Sequence, residues 1–269
     1  MIYSDKSLSE KLEMTEGRSN VDFVETRARL QPDSGAECVR VGGTYVQFDG
    51  VESPLTQTFG LGIFEDATAE HLEEIEAFYR ERGAPVFHEV SPMADQSILQ
   101  LLGERGYRPI ELTSVMFREL SDVAKTVAGS GIVTRKIGDE EADLWAATSA
   151  RGWATVHESL ADFMLAFGKV AARTTHGHPF VAEIDGDVVG AAGFGIYDDV
   201  CILAGATTVP EARNRGVQNA SLSARLSFAA GRGCKLAMIC ALPGSQSQKN
   251  AQKNGFQIAY TRIKWQLFE

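Results

Sequence analysis

The sequence predicts an α/β (α+β mixed sheet) protein of two tandem domains, each a central mixed β-sheet flanked by helices. Three observations carry this. A chain of 269 residues with 44% hydrophobic side chains is long for one core and comfortable for two. Apolar residues recur with period two in some stretches and with helical spacing in others, and both kinds occur in each half. Finally, the two halves end alike. GAPVFHEVSPMADQSILQLLGERGYRPIELTSVMF from Gly83 parallels GCKLAMICALPGSQSQKNAQKNGFQIAYTRIKWQLF from Gly233. Both read strand, proline, helix, Gly-aromatic, strand, with Gly106-Tyr107 answering Gly255-Phe256. Self-similarity at this scale is what duplication of a fold leaves behind.

Taken in order, Leu8 to Leu30 is charged throughout with a weak apolar stripe and reads as partly helical. Glu37 to Gly50 alternates as a hairpin turning at Gly42-Gly43. A short strand from Gln57 leads to Asp66-Ala67-Thr68, and Leu72, Ile75 and Tyr79 then mark an amphipathic helix closed by Gly83. Val86 to Val90 reads as a strand, Ala94 to Arg105 as a helix capped by Gly106, and Ile110 to Leu120 as extended chain. Ser121 to Ser130 is small and polar, the composition of a linker, so the expected domains are 1–124 and 125–269.

The second half opens with a strand at Ile132 to Ile137 and a helix at Asp139 to Ala150 with an acidic first turn. Leu160, Phe163, Met164, Phe167, Val170 and Ala171 mark one face of a further helix. Phe180 to Ile184 and Val188 to Ile196 form a hairpin about Asp185-Gly186-Asp187. A strand at Val200 to Val209, a loop and a helix follow, then a strand at Leu236 to Leu242, a helix at Gln246 to Asn254 and a last strand from Gln257 to Phe268.

The chemistry concentrates in TTVPEARNRGVQNA, Thr207 to Ala220. An apolar strand runs into this stretch and a helix leaves it, so successive backbone N–H groups can converge on an anion at the helix N-terminus, which carries about half a positive charge. Gly216 can take positive φ and let backbone approach a ligand, while Arg213 and Arg215 add charge-assisted donors. A pyrophosphate suits such a loop. The corresponding stretch of the first half, Phe64-Glu65-Asp66-Ala67-Thr68, holds two carboxylates and no arginine.

The spacing Arg213, Gly216, Gln218 resembles the Arg/Gln-x-x-Gly-x-Gly/Ala signature of the GNAT acyltransferases, with Gln218 standing where Gly or Ala is usual. Pro210, Gly186 to Ala191, Asn250 and Gly255-Phe256 extend the likeness over Ile132 to Phe268 and, through the repeat, more weakly over Glu37 to Leu120. The resemblance is to tandem GNAT proteins with a degenerate N-terminal copy that lacks the pyrophosphate loop. It implies acetyl-CoA as co-substrate, bound by Thr207, Thr208, Val209, Arg213, Asn214, Arg215, Gly216, Val217, Gln218, Asn219, Ala220 and Asn250, with the pantetheine arm along the backbone of Thr207 to Val209. It implies N-acetylation of a primary amine of a small molecule. A protein amino group as acceptor, or an idle acyl-CoA-binding module, are the alternatives.

The family often supplies a tyrosine as general acid on the penultimate helix, and its place here is held by Ala251, which leaves the catalytic residues unassigned. His157, Glu158 and Asp162 lie where relatives bind acceptors, and each also reads as an ordinary solvated residue. His176 and His178 lack a partner set for a metal and read as an exposed turn; Trp145 and Trp153 read as core or as pocket lining. Cys38, Cys201, Cys234 and Cys240 are scattered and read as reduced, mostly buried thiols.

A net charge of −10 disfavours nucleic acid as a partner, and no apolar run has membrane-spanning length. The N-terminus lacks the blocks of a secretory signal. A soluble cytoplasmic enzyme without metal, monomeric or homodimeric, is expected.

Overall fold

The computed structural model describes residues 2–123, 131–154 and 160–268. Two compact units emerge, one made of Met1–Arg118 with Met238–Glu269 and the other of Glu119–Ala237. The first break falls beside the expected linker, of which residues 124–130 lie outside the described residues. The second break, at 237/238, assigns the C-terminal segment to the unit built by the first half.

The first unit begins with α1 (Lys6–Leu30), started by Asp5, whose carboxylate accepts the Leu8 N–H at 2.9 Å. The helix is continuous where the sequence reads as only partly helical, because its buried side is largely polar: Ser9, Glu13, Thr15, Gly17, Asp22 and Thr26 are all buried. Hydropathy alone does not register such a face. Gly17 is where the Tyr45 ring lies; an added Cβ would come within 2.5 Å of Tyr45 Cδ2.

β1 (Glu37–Val41) and β2 (Thr44–Phe48) form the expected hairpin, with Gly42 and Gly43 at φ 49° and 71° as a two-residue primed turn requires. β3 (Gln57–Phe59) adds to β2, and α2 (Ala69–Glu81) crosses over to β4 (Phe87–Val90), parallel to β3. α3 (Ser97–Glu104) starts later than the sequence suggests, because Asp95 turns the chain by accepting the Ser97 N–H. β5 (Tyr107–Glu119) completes the first half. α2 and α3 cover one sheet face over Val46, Leu72, Ile75, Tyr79, Ile98 and Leu102.

The C-terminal segment supplies α7 (Gln246–Lys253) and β11 (Gln257–Leu267). β11 is antiparallel to both β4 and β5 and lies between them, pairing Lys264 with Glu89 on one side and Thr261 with Ser114 on the other. Its alternation places Arg262 under α1. There Arg262, 2% exposed, meets three carboxylates: Glu13, Glu16 at 2.8 Å and Glu89 at 2.8 Å. Tyr260 donates to Glu13 at 2.8 Å. Burial raises Glu13 to about 7, against the lowering influence of Arg262.

In the second unit β6 (Ile132–Lys136), β7 (Phe180–Ile184), β8 (Asp187–Tyr197) and β9 (Val200–Thr208) form an antiparallel ladder in that order. α4 (Ala142–Trp153) and α5 (Leu160–Ala171) lie on one face, where Trp145 is core and donates to the Phe180 carbonyl at 3.0 Å. α6 (Val217–Gly231) lies on the other. Val181 and Ala182 show the alternation, the first packing with Trp145 and the second with Val209 and Val217. β10 (Leu236–Ala241) follows α6.

Candidate anion-binding site

The site is the strand, loop and helix from β9 to α6. β9 is interrupted. Ala191 pairs with Thr207 but Gly193 pairs with Ala204, so Gly205 and Ala206 stand opposite the single residue Ala192. This is a β-bulge, permitted by Gly205 at φ 61°. Its extra residue is left outside the ladder, so backbone groups here are turned away from β8. Ala204 and Gly205 are exposed, and the bulge therefore presents bare backbone. No reading of the loop motif includes Gly205. The available signal was a glycine within an apolar strand.

Beyond the bulge the strand end is tightly held. Thr207 and Thr208 are buried and pair with Ala191 and Gly190, and Val209 donates its N–H to Val189 at 2.9 Å. Gly152 of α4 sits against Thr207, so closely that a Cβ there would lie 1.8 Å from the threonine Oγ1. The Thr208 hydroxyl is buried with no hydrogen-bond partner among the described residues.

Pro210–Ala212 then makes a short 3-10 turn, and Arg213 folds back. Its guanidinium donates to the Gly152 carbonyl at 3.0 Å and, at 3.4 Å, to that of Thr208. Arg213 thus ties the end of α4 to the loop. Asn214 and Gly216 both take left-handed φ, 61° and 87°. These two residues turn the chain into α6, and Arg213, Asn214, Arg215 and Gly216 are all exposed.

α6 has no side-chain cap at Gly216. The first N–H groups of an α-helix have no acceptor within it. Val217 and Ala220 turn inward and anchor the first turn, while Gln218 and Asn219 face outward. The result is an exposed, positively polarised helix end beside two arginines, with only glycine at the approach.

The remaining sequence candidates fall elsewhere. Asn250 lies on α7 in the first unit, its side-chain oxygen accepting from Gln246 at 2.8 Å. Ala251 beside it is 2% exposed. His157 and Glu158 lie outside the described residues, and Asp162 is exposed on α5. His178 corrects the expectation of an exposed turn: its ring packs against Phe194 and Phe228, and burial lowers it to about 4. The backbone explains this, since the His178 N–H bonds to the Phe194 carbonyl at 2.7 Å and draws the segment onto the sheet. His176 remains exposed. Among the described residues no group of three or more His, Cys, Asp or Glu is placed to hold a metal ion, and no helix is long and apolar enough to cross a membrane.

Residues 141–256, which include the whole strand, loop and helix, match the family model described as the acetyltransferase (GNAT) family. That stretch is similar to a GNAT-family domain. Solved structures extend the likeness of fold beyond that domain. A GCN5-related N-acetyltransferase from Kribbella flavida superposes with a TM-score of 0.63 at 17% identity, over 93% of this chain and 96% of that one. A tandem GNAT protein from the clavulanic acid biosynthesis pathway gives 0.63 at 11% identity, over 91% and 86%. An acetyltransferase of the GNAT family from Novosphingobium aromaticivorans gives 0.55 at 16% identity, over 91% and 97%. No curated protein sequence matches the chain. The GNAT likeness therefore rests on family motif and on fold, and the family is one of acyltransferases.

Proposed function

We propose that the chain is an acetyl-CoA-dependent N-acetyltransferase acting on a primary amine of a small molecule. The observation that carries this is the uncapped N-terminus of α6, entered through two left-handed residues and flanked by Arg213 and Arg215. A pyrophosphate fits it by charge and by shape, because a ligand anion would supply the acceptors that the helix end lacks. In this reading the exposed backbone of residues 214–216 and the start of α6 hold the phosphates, Arg215 adds charge, and Arg213 keeps the loop in place.

The bulge supplies the second element. A backbone N–H released at Gly205 or Ala206 is suited to the thioester carbonyl and to the oxyanion that develops there, an interaction worth roughly 3 to 4 kcal/mol in comparable sites. The neutral amine attacks the carbonyl carbon, the C–N bond forms, the nitrogen gives up a proton to water, and the C–S bond breaks. Ala251 can donate no proton, so the proton of the departing CoA thiolate comes from water or from another side chain, and the acid stays unassigned. Asn250 is a separate assignment that the resemblance alone carries. We further read 1–124 and 125–269 as two copies of one fold, with the last strand of the second copy, β11, lodged between strands of the first. The four free cysteines suit a reducing cytoplasm.

Ala251 also favours a second reading, an acyl-CoA-binding module without turnover. Release of free CoA in steady state across a panel of small amines and peptides separates the two. Turnover with small amines supports the first reading, turnover with peptides alone moves the acceptor to a protein, and binding without CoA release supports the second.

A further inference from the structure

We propose that Cys201 and Cys234 form a redox-active dithiol, a modification site that closes to a disulfide when the protein meets a peroxide. Cys201 is the second residue of β9, and Cys234 lies between α6 and β10. Backbone bonds set these segments side by side: the N–H groups of Lys235 and Leu236 both donate to the Asp199 carbonyl, at 2.7 and 3.2 Å. Both thiols are buried, at 0% and 6% exposure, and the Cys201 S–H donates to the Cys234 sulfur. Two sulfurs in hydrogen-bond contact need only a small movement to reach bonding distance.

The surroundings set the two thiols apart. Arg225 of α6 is buried beside the pair, and its guanidinium donates to two neutral carbonyls, Ser221 at 3.1 Å and Gly193 at 2.9 Å. No carboxylate pairs with it among the described residues, and Cys201 is the ionisable group that attracts it. A buried cation without a counter-ion is costly, and Arg225 lies on the Cys201 side of the pair. The other charged groups here, Asp199 and Lys235, pair with each other at 3.5 Å. The shared S–H splits the pair: donating it holds the Cys201 thiol well above its ordinary range, and accepting it holds the Cys234 thiol below, against burial and Asp199. The remaining cysteines have no thiol partner among the described residues: Cys240 donates to Glu16 at 3.2 Å, and burial with Glu25, Asp49 and Glu37 nearby pushes Cys38 up to about 12.

The chemistry balances with hydrogen peroxide as oxidant. The Cys234 thiolate attacks one peroxide oxygen, the O–O bond breaks, and hydroxide leaves as water after protonation, giving a sulfenic acid. Cys201 then attacks that sulfur, the S–O bond breaks, and a second water leaves. Two thiols are oxidised and one peroxide is reduced. The bond closes a loop from 201 to 234 that contains the bulge, the anion loop and α6.

The full-length protein, treated in its native state with hydrogen peroxide, quenched, then unfolded in an alkylating reagent and digested, tests this by mass spectrometry. The expected product is a linked pair of peptides containing Cys201 and Cys234, unlabelled and released by reductant, while Cys38 and Cys240 carry the label. The oxidised protein should also melt several degrees higher than the reduced one, a gain absent from Cys234→Ser. Labelling of both Cys201 and Cys234 after oxidation, linkage of any other pair, or Cys234 oxidised beyond sulfenic acid with Cys201 still labelled would overturn the proposal. The mapping needs no variant to fold.

Discussion

Each unit contains a strand, a loop and a helix in the same order, from β3 to α2 in one and from β9 to α6 in the other, and the two loops are finished differently. After β3 the loop is filled by its own side chains. Leu61 and Ile63 are each 1% exposed, and the Phe64 ring lies where a Cβ on Gly60 would be. Thr68 then caps α2, its hydroxyl accepting the His71 N–H at 3.2 Å, and Glu70 sits in the first turn. After β9 the loop is exposed backbone and arginine, and α6 has no cap. Both loops carry left-handed glycines. What distinguishes them is whether the helix end already has its acceptors: a satisfied end offers an anion nothing, and an unsatisfied one is a site.

The same contrast holds for charge. Around Arg262 the first unit buries a cation among three carboxylates, while at the α6 loop of the second unit Arg213 and Arg215 are exposed. The largest effect expected of a single change is therefore structural. Arg262→Met should cost roughly 3 to 5 kcal/mol in chemical unfolding, because three carboxylates lose their buried cation, and it should leave the acetyl-CoA-induced thermal shift in place. A loss of the shift in a protein that still folds would show that the first unit's charges serve binding as well.

Glu13 sharpens this further through pH. Its folded pKa, about 7, lies above its unfolded value, so the folded state binds the extra proton. The stability this contributes is complete below about pH 4.5 and is lost as pH rises to about 7. Glu13→Gln should flatten that decline in a plot of Tm against pH; an unchanged slope would place the proton elsewhere. Arg213→Ala removes two charge-assisted bonds to backbone carbonyls at an exposed position and should cost about 1 to 1.5 kcal/mol, with weaker acetyl-CoA binding because the loop loosens. Equal stability would mean that the clamp has no structural role. The smallest effect belongs to Thr68→Ala: about 1 kcal/mol in unfolding, with no change in ligand response. A new response to acetyl-CoA in that variant would break the comparison, since it would mean that the cap alone had closed the first loop.

Much of this contrast is legible in the sequence because it is local. Gly42-Gly43, Asp185-Gly186 and Arg213 to Gly216 each specify a backbone path through residues next to one another. Pairing across long separations is not legible in that way. Nothing in Gln257 to Leu267 says that its partners are Phe87 to Val90 and Tyr107 to Phe117, since period two fits any edge that presents the right face. The buried polar face of α1 escapes hydropathy for a related reason: Glu13 and Glu16 read as solvent-facing until Arg262 is placed beneath them. The role of Arg213 shows the limit within the site itself. Its spacing marks the loop, but only the position of the Gly152 carbonyl reveals that its guanidinium braces backbone.

The most direct test of the central claim is a thermal-shift titration with acetyl-CoA on the natural chain and on Gly216→Glu. The added side chain has room, its nearest neighbour being Ile132 Cδ1 at 3.8 Å, but it sets a carboxylate at the helix end and holds a non-glycine residue at φ 87°. Acetyl-CoA at about a hundred times its dissociation constant should stabilise the natural chain by about 2.7 kcal/mol, and the variant, itself melting somewhat lower, should show no shift. An equal shift in both proteins, or none in the natural chain, would contradict the assignment of the pyrophosphate to the end of α6.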